Sequence, residues 1–200
     1  MMKYFALALA LLVIPMASAF AAAEVGRKAP DFEAKDINGE TVRLSDYAGK
    51  TVVLEWTNHL CPYVRKHYDS KNMQNTQKAA IEKGAVWLTI VSSAEGKQGA
   101  VTPEEAAEIL KEEDAHPTAK ILDPSGKIGK LYAAKTTPHM YVIDEEGTLV
   151  YAGAIDDNPS PRLETVEGAK NYVLSALDSL ASGEKVEPQQ TAPYGCAVKY

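Results

Sequence analysis

The sequence contains two cysteines, and one of them, Cys61, stands directly before Pro62. Proline is favoured in the first turn of a helix, so a helix is predicted to begin just after the thiol. The free amides and the dipole of a helix N-terminus stabilise a thiolate, which lowers the pKa of a cysteine there. An inert buried cysteine is the alternative, but that reading suits an apolar run and the stretch Thr57–Tyr63 is a polar turn. We therefore interpret Cys61 as a reactive thiol.

The elements around Cys61 alternate between strands and helices. The β-branched apolar run Thr51–Trp56 ends just before the thiol and predicts a buried central strand. Further strands are predicted at Ala85–Val91, Ala119–Leu122, Met140–Asp144 and Thr148–Ala152, and helices from Pro62 to about Lys83, after Pro103, around Ile128 and over Glu164–Leu180. This order predicts an α/β sandwich with a mixed central sheet flanked by helices. Open α/β sheets bind ligands in the loop between a strand end and the next helix, which is where Cys61 stands.

Two segments lie outside this sheet. Phe32–Leu44 alternates between apolar and polar residues around an Asn-Gly pair, which predicts a β-hairpin near the N-terminus. Beyond the last helix, residues 182–200 are rich in Pro, Gln and Gly and carry the second cysteine, Cys196. We predict one domain over residues 24–181, followed by this segment as a C-terminal tail.

Composition and the N-terminal residues restrict the class of protein. A hydrophobic share of 46% and a charged share of 24% are typical of a globular chain, and a net charge of −6 without a basic block argues against nucleic acid as a partner. Residues 1–23 combine an early lysine, an apolar run and small residues, which predicts a signal peptide cleaved after Ala19 or Ala23; an uncleaved membrane anchor is the alternative. We predict a secreted or periplasmic protein with no membrane association after cleavage. In such an oxidising compartment thiols tend to be paired, reactive or metal-bound.

Several motifs, taken in their order along the chain, resemble the redoxin branch of the thioredoxin superfamily, which includes alkyl hydroperoxide reductase/thiol-specific antioxidant proteins. The motifs are Ala29–Phe32, Leu44–Lys50, Trp56 ahead of Cys61 and Pro62, Asp123–Gly126, Thr137 with Pro138, and Tyr141–Gly147. The resemblance covers Val25 to Leu180 and implies a thioredoxin-like α/β sandwich with an extra N-terminal β-hairpin. It also implies a thiol-disulfide oxidoreductase or a peroxiredoxin-like thiol peroxidase that needs no cofactor. The substrate would be a disulfide or a peroxide, and an unidentified thiol would donate electrons.

The resemblance assigns roles to residues near the thiol. Cys61 matches the nucleophilic cysteine of the family. Pro138 falls where thioredoxin-like proteins hold a cis proline facing that cysteine, and the backbone of Thr137 would pair with bound substrate. Arg65, in the first turn after Cys61, is a candidate cation at the thiolate. The remaining candidate substrate contacts are Pro62, Trp56 and His139.

Four positions depart from the family patterns. Val64 stands where Cys-x-x-Cys oxidoreductases have their second cysteine. Asn58 and Leu54 stand where peroxiredoxins have a threonine or serine and a proline, and Pro138 stands where they bring an arginine to the thiolate. These departures argue against efficient peroxide reduction and leave thiol chemistry intact.

The second cysteine and two histidines complete the candidate site. The tail is long enough to return Cys196 to the Cys61 loop, where it would resolve a Cys61 sulfenate or mixed disulfide. The alternatives are a static bridge, an unpaired thiol, and pairing with another chain in an oligomer. The fold would bring His59 and His139 near the same thiolate, and a protonated imidazole there lowers a thiol pKa. Because these four side chains also suit copper or zinc, a non-catalytic metal-binding or thiol-delivery protein is the alternative function, followed by a non-catalytic interaction module.

Overall fold

The computed structural model describes residues 22–200. Its strands are β1 (Glu33–Lys35), β2 (Thr41–Arg43), β3 (Val52–Trp56), β4 (Val86–Val91), β5 (Ala119–Leu122), β6 (Thr136–Thr137), β7 (His139–Ile143), β8 (Leu149–Gly153) and β9 (Cys196–Ala197). Its helices are α1 (Pro62–Asp69), α2 (Asn72–Glu82), α3 (Pro103–Glu113), α4 (Lys127–Leu131) and α5 (Tyr172–Ala181). Short 3₁₀ helices cover Leu44–Tyr47 and Leu163–Val166.

Five of the strands form the central sheet, in the order β5-β4-β3-β7-β8. Strands β3, β4 and β5 run parallel to one another, whereas β7 runs antiparallel to both β3 and β8. The sheet is therefore mixed, and the prediction of a mixed sheet flanked by helices is confirmed. Strand β3 is central and buried along its whole length, as its β-branched sequence predicts.

Two separate cores hold β3 in place because its side chains alternate between the two faces of the sheet. On one face, Val53 packs in the core that α1, α2 and α5 complete. On the other face, Leu54 and Trp56 pack with residues of the N-terminal hairpin and of α4. The end of β3, and with it the loop that leads to Cys61, is fixed from both sides.

The helix predicted from Pro62 to about Lys83 is two helices. Lys71 adopts a left-handed conformation with φ of 63°, and the Ser70 hydroxyl accepts a hydrogen bond from the Asn72 amide. Serine side chains compete in this way with helical backbone bonds, so α1 ends and α2 starts in a new direction. The start of the short α1 thus belongs to the site, although Val64 and Tyr68 pack in the core, whereas α2 belongs to the core alone.

The N-terminal hairpin is present, with β1 antiparallel to β2. The C-terminal tail, which carries no strand signal in the sequence, forms β9 and pairs with β6. The predicted signal peptide, residues 1–23, lies almost wholly outside the described residues, and the domain limits at 24 and 181 stay predictions. Within residues 22–200, none of the helices has the length and apolarity needed to cross a bilayer.

Candidate active site

The loop after β3 places Cys61 at the first position before α1. The Cys61 carbonyl accepts hydrogen bonds from the amides of Val64 and Arg65, which makes the cysteine the N-cap of the helix. Asn58 closes the preceding turn: its carbonyl accepts from the Cys61 amide at 2.9 Å, and its side-chain oxygen accepts from the Leu60 amide at 3.0 Å. The side chain of Cys61 therefore has a fixed direction, and it is fully buried.

Strand β6 lies opposite the thiol. The bond between Thr137 and Pro138 is cis, as the family resemblance implies. The carbonyl oxygen of Thr137 lies 3.1 Å from the sulfur of Cys61 and accepts its hydrogen bond when Cys61 is a thiol. The structure thus brings Cys61, Thr137 and Pro138 together.

The tail covers this arrangement. Strand β9 pairs antiparallel with β6 so that Cys196 lies opposite Thr137. The sulfur atoms of Cys61 and Cys196 are 2.8 Å apart, and both cysteines are free thiols. Because a disulfide bond measures about 2.05 Å, less than an ångström of movement would join them. Cys196 remains partly exposed, so the second thiol can be reached from solvent while the first cannot.

The pKa values of the two thiols are shifted in opposite directions. Burial raises the pKa of the Cys61 thiol, but hydrogen bonds from the side chains of Cys196 and Thr137, and then from the amides of Cys196 and Val64, outweigh it and hold that pKa below its usual value. Burial, followed by the hydrogen bond to Cys61 and its charge, raises the pKa of Cys196 to about 11. Of the two, Cys61 is therefore the thiol that loses its proton more readily, and Cys196 is its hydrogen-bond donor.

Gly195 allows the close approach of the tail to β6. A Cβ atom at this position would lie 1.9 Å from the carbonyl oxygen of Thr137, and the residue has φ of 133°. Gly195→Ala is expected to push β9 away from β6, because overpacking costs about 1–3 kcal/mol. We expect the alkylation rate of reduced Cys61 by iodoacetamide to rise about tenfold, since 1.4 kcal/mol corresponds to a factor of ten.

The matched control for this prediction is Gly183→Ala. Gly183 also has a positive φ, 68°, but no atom lies within 4 Å of a Cβ built there. It therefore tests an alanine at a glycine with positive φ where the new Cβ meets no other atom. Equal alkylation rates in the two variants would contradict the role given to Gly195.

Arg65 does not contact the sulfur of Cys61. Its guanidinium pairs with Asp69 on the same helix and with Glu113 at 3.0 Å. Burial raises the pKa of Glu113 to about 7, and the charges of Lys120 and Arg65 oppose that rise. Arg65 thus joins α1 to α3 at the edge of the site.

Like Arg65, the two candidate histidines make no contact with the sulfur of Cys61. The Nδ1 atom of His139 accepts a hydrogen bond from the Lys135 amide and lies 3.0 Å from the Tyr141 hydroxyl, and burial lowers the His139 pKa to about 3. His59 is half-buried, and burial lowers its pKa, with the charge of Lys120 adding to the effect. Neither imidazole makes a hydrogen bond to a cysteine within residues 22–200. In that part of the chain, no group of three or more His, Cys, Asp or Glu side chains is arranged to hold a metal ion.

Trp56 and Pro62 support the loop from the protein side. The indole of Trp56 is fully buried, donates a hydrogen bond to Ser92 at 3.0 Å and packs edge-on against Tyr141. Because it has no exposed surface, it fixes the end of β3 and offers no substrate contact. Pro62 is the first residue of α1, as predicted.

Sequence reasoning missed the buried carboxylate of Glu55 on β3. This carboxylate is fully buried. It accepts hydrogen bonds from the side chains of Tyr68, Gln77, Trp87 and Thr89. Four donors offset the cost of burying a carboxylate. The available signal was a single acid inside an apolar strand.

The known proteins that this chain resembles in sequence include thiol oxidoreductases. A model of the AhpC/TSA family matches residues 25–152. The chain is 30% identical over 132 residues to peroxiredoxin Bcp of Bacillus subtilis, covering 64% of this chain and 82% of that protein. It is 28% identical over 127 residues to thiol-disulfide oxidoreductase ResA of Geobacillus thermodenitrificans, covering 58% and 73%.

A solved structure shares this fold over most of the chain. A conserved uncharacterized protein from Geobacillus kaustophilus matches with a TM-score of 0.74 at 26% identity, covering 88% of this chain and 92% of that one. Together with the family match, the mixed sheet confirms the predicted thioredoxin-like α/β sandwich.

Proposed function

Since this chain belongs to the AhpC/TSA family and is an oxidoreductase, we propose a specific reaction for it. We propose that it is an exported two-cysteine enzyme that reduces disulfides through Cys61 and Cys196. One observation carries the proposal: two free thiols of one chain lie 2.8 Å apart at a helix N-terminus. Their opposite pKa shifts support separate roles, with Cys61 as nucleophile and Cys196 as resolving thiol. Export rests on the signal-peptide pattern of residues 1–23.

The reaction needs no cofactor. Because β9 covers the buried Cys61, the tail first moves aside to admit the substrate. The Cys61 thiolate then attacks one sulfur of a substrate disulfide, forms a mixed disulfide and releases the other half as a thiolate. Deprotonated Cys196 then attacks the Cys61 sulfur and expels the remaining half, which leaves a Cys61–Cys196 disulfide. The substrate has gained two electrons and the enzyme has lost two. Cys61 is the thiolate nucleophile of the first step, and Cys196 donates its proton to the first leaving group.

A thiol electron donor would close the cycle. In the disulfide state the partly exposed Cys196 sulfur is the one that an external thiolate can reach, because Cys61 is buried. Attack there expels Cys61, whose lower pKa makes it the better leaving group. A second donor thiol then releases Cys196 and leaves with the first donor as a disulfide.

Disulfide is favoured over peroxide by the surroundings of the sulfur. The backbone of β6 pairs beside Cys61 with an extended, cysteine-bearing segment, β9, and a substrate segment would take the same place when β9 moves away. Arg65 is engaged by Asp69 and Glu113 and supplies no cation to stabilise a peroxide. We assign substrate contact to Thr137 and Pro138. His59, Arg65, Pro62 and His139 surround the site without touching the sulfur.

Peroxide reduction is the second candidate, because the relative with the higher identity of the two reported is a peroxiredoxin. In that case Cys61 would attack a peroxide oxygen, form a sulfenic acid and release an alcohol or water. Cys196 would then displace water to give the same disulfide. Rates with hydrogen peroxide and with a model disulfide, measured on the same preparation, separate the two reactions.

Intact-mass spectrometry with thiol alkylation in graded glutathione buffers tests the proposed pair. We expect a single intramolecular Cys61–Cys196 bridge that opens within the glutathione range, because one partner is exposed to the reductant. A bridge that resists strong reductant would make Cys196 a static tether. Two free thiols at every potential would overturn the proposed function.

A further inference from the structure

The backbone pairing at Cys196 is too short to hold the tail by itself. Strand β9 contains two residues, and an isolated two-stranded pairing is marginal in water. After Cys196, the hydroxyl of Tyr200 donates a hydrogen bond to the carbonyl of Ala134 at 2.8 Å. Before Cys196, Gln189 and Thr191 make hydrogen bonds to β8 and Ala154, and one aromatic side chain, that of Tyr194, enters the body of the protein.

Tyr194 reaches a buried polar group beneath α1. Its hydroxyl donates a hydrogen bond to the carboxylate of Asp156 and lies 3.0 Å from Nε2 of His67. The ammonium of Lys66 sits 5.5 Å from the centre of its ring. The ring also packs against Tyr63 with the centroids 5.9 Å apart. A tail residue thus makes contacts that are usual for a core residue.

The group that receives Tyr194 is a buried ion pair. The side chains of Lys66 and Asp156 are 0% and 2% exposed, and the ammonium lies 3.2 Å from the carboxylate. Lys66 also donates to the carbonyl of Asn158 at 2.7 Å. Buried charges are costly unless their remaining hydrogen-bonding capacity is filled. The Tyr194 hydroxyl fills part of that capacity for Asp156, so the ion pair favours a docked tail.

The hydrogen bonds around the phenol form a chain in which each group donates to the next, from Asn72 through His67 and Tyr194 to Asp156. The side-chain amide of Asn72 donates a hydrogen bond to Nδ1 of His67 at 2.8 Å. The proton of the neutral imidazole is then on Nε2 and points at the Tyr194 oxygen, whose own proton goes to Asp156. Burial lowers the His67 pKa to about 4, with the Asp156 charge opposing it, so the imidazole is neutral at pH 7. The Tyr194 hydroxyl thus accepts one hydrogen bond, from His67, and donates one, to Asp156.

We propose that Tyr194 is the positioning residue for the resolving thiol: its hydroxyl, held by Asp156 and His67, keeps the tail docked so that Cys196 stays against Cys61. This inference rests on the proposed two-cysteine function. Tyr194 stands two residues before Cys196, and the intervening Gly195 touches β6. A tail anchored at this point cannot move Cys196 far from Cys61 without first breaking the bond to Asp156.

Tyr194→Phe tests the proposal because it removes the hydroxyl and keeps the ring. Asp156 retains the Lys66 ammonium and the Asn158 amide, so the fold is expected to persist. We expect the equilibrium constant for the Cys61–Cys196 disulfide, measured against glutathione, to fall about tenfold. That fall corresponds to a potential about 30 mV more oxidising. In the reduced protein, alkylation of Cys61 should accelerate about tenfold as the tail undocks.

Tyr172→Phe is the matched control. Tyr172 also loses a hydroxyl, but that hydroxyl makes no hydrogen bond within the described residues, and the ring packs against Tyr151 on the α5 side. It should leave both the potential and the alkylation rate unchanged. If Tyr194→Phe behaves like this control in both measurements, the inference is wrong while the proposed function stands.

Failure of the proposed function would give a different result. If the unmodified protein forms no Cys61–Cys196 disulfide, the equilibrium measurement reports on the function and not on Tyr194. The alkylation rate of Cys61 needs no disulfide and still decides the anchoring role. Acceleration in Tyr194→Phe would support an anchor for the tail, and an unchanged rate would overturn it.

Discussion

Cys61→Ser is expected to abolish turnover, with a loss of at least about 1,000-fold, because the reaction has no other nucleophile with a lowered pKa at the site. The measurement is the steady-state reduction of insulin disulfides, with hydrogen peroxide as the second substrate and dithiothreitol as donor. Serine occupies nearly the same volume as cysteine, and its hydroxyl can still donate to the Thr137 carbonyl. The fold should therefore persist while the chemistry is lost.

The two substrates make this result informative. Loss of both activities would place Cys61 at the centre of whichever reaction the protein performs. Loss of disulfide reduction alone would mean that another thiol consumes peroxide. A rate within twofold of the unmodified protein on both substrates would contradict the assignment of Cys61 as the nucleophile. Far-ultraviolet circular dichroism of the variant shows whether the fold is intact.

The position of Cys61 could be predicted from sequence because it depends on local signals. A β-branched run predicts the buried strand, and Pro62 predicts where the helix begins. Both signals act within a few residues of the thiol, so tertiary contacts had little room to override them. The same holds for the order of the elements and hence for the mixed sheet.

The contacts of the charged side chains could not be predicted in the same way. Arg65 stands in the turn after Cys61 but is long enough to reach Glu113, which the sequence places far away on α3. His139 stands beside Pro138 but turns its ring to Tyr141. Which neighbour a long side chain selects depends on the packing of several elements, and no periodicity in the sequence records it.

The tail shows the clearest limit of sequence reasoning. Residues 182–200 have neither helical nor strand periodicity, and β9 contains only two residues. Its pairing with β6 depends on a glycine at the contact with Thr137 and on the anchor of Tyr194 in a buried ion pair. Each of these features is a single residue whose partner is distant in the chain, so only the folded structure shows them together.

Cys196→Ala is expected to stop catalysis after its first half. Cys61 should still attack a substrate disulfide, but no thiol remains in the chain to resolve the product. We expect a burst of one equivalent of released thiol per enzyme, followed by turnover at least about tenfold slower, as external donor replaces the neighbouring thiol. Stopped-flow measurement of thiol release and intact mass of the trapped mixed disulfide provide the readouts.

The same variant changes the pH dependence of Cys61 in a predictable direction. Burial raises the Cys61 pKa, and the Cys196 side chain is the leading group that lowers it. Without that donor the pKa of Cys61 should rise, so the midpoint of its alkylation rate should move to higher pH and the thiolate fraction at pH 7 should fall. Cys196→Ser restores a hydroxyl donor without a resolving thiol, so it should recover much of the original midpoint while its turnover stays as slow as that of Cys196→Ala. An unchanged midpoint in Cys196→Ala would show that the first turn of α1, and not Cys196, sets the pKa of Cys61.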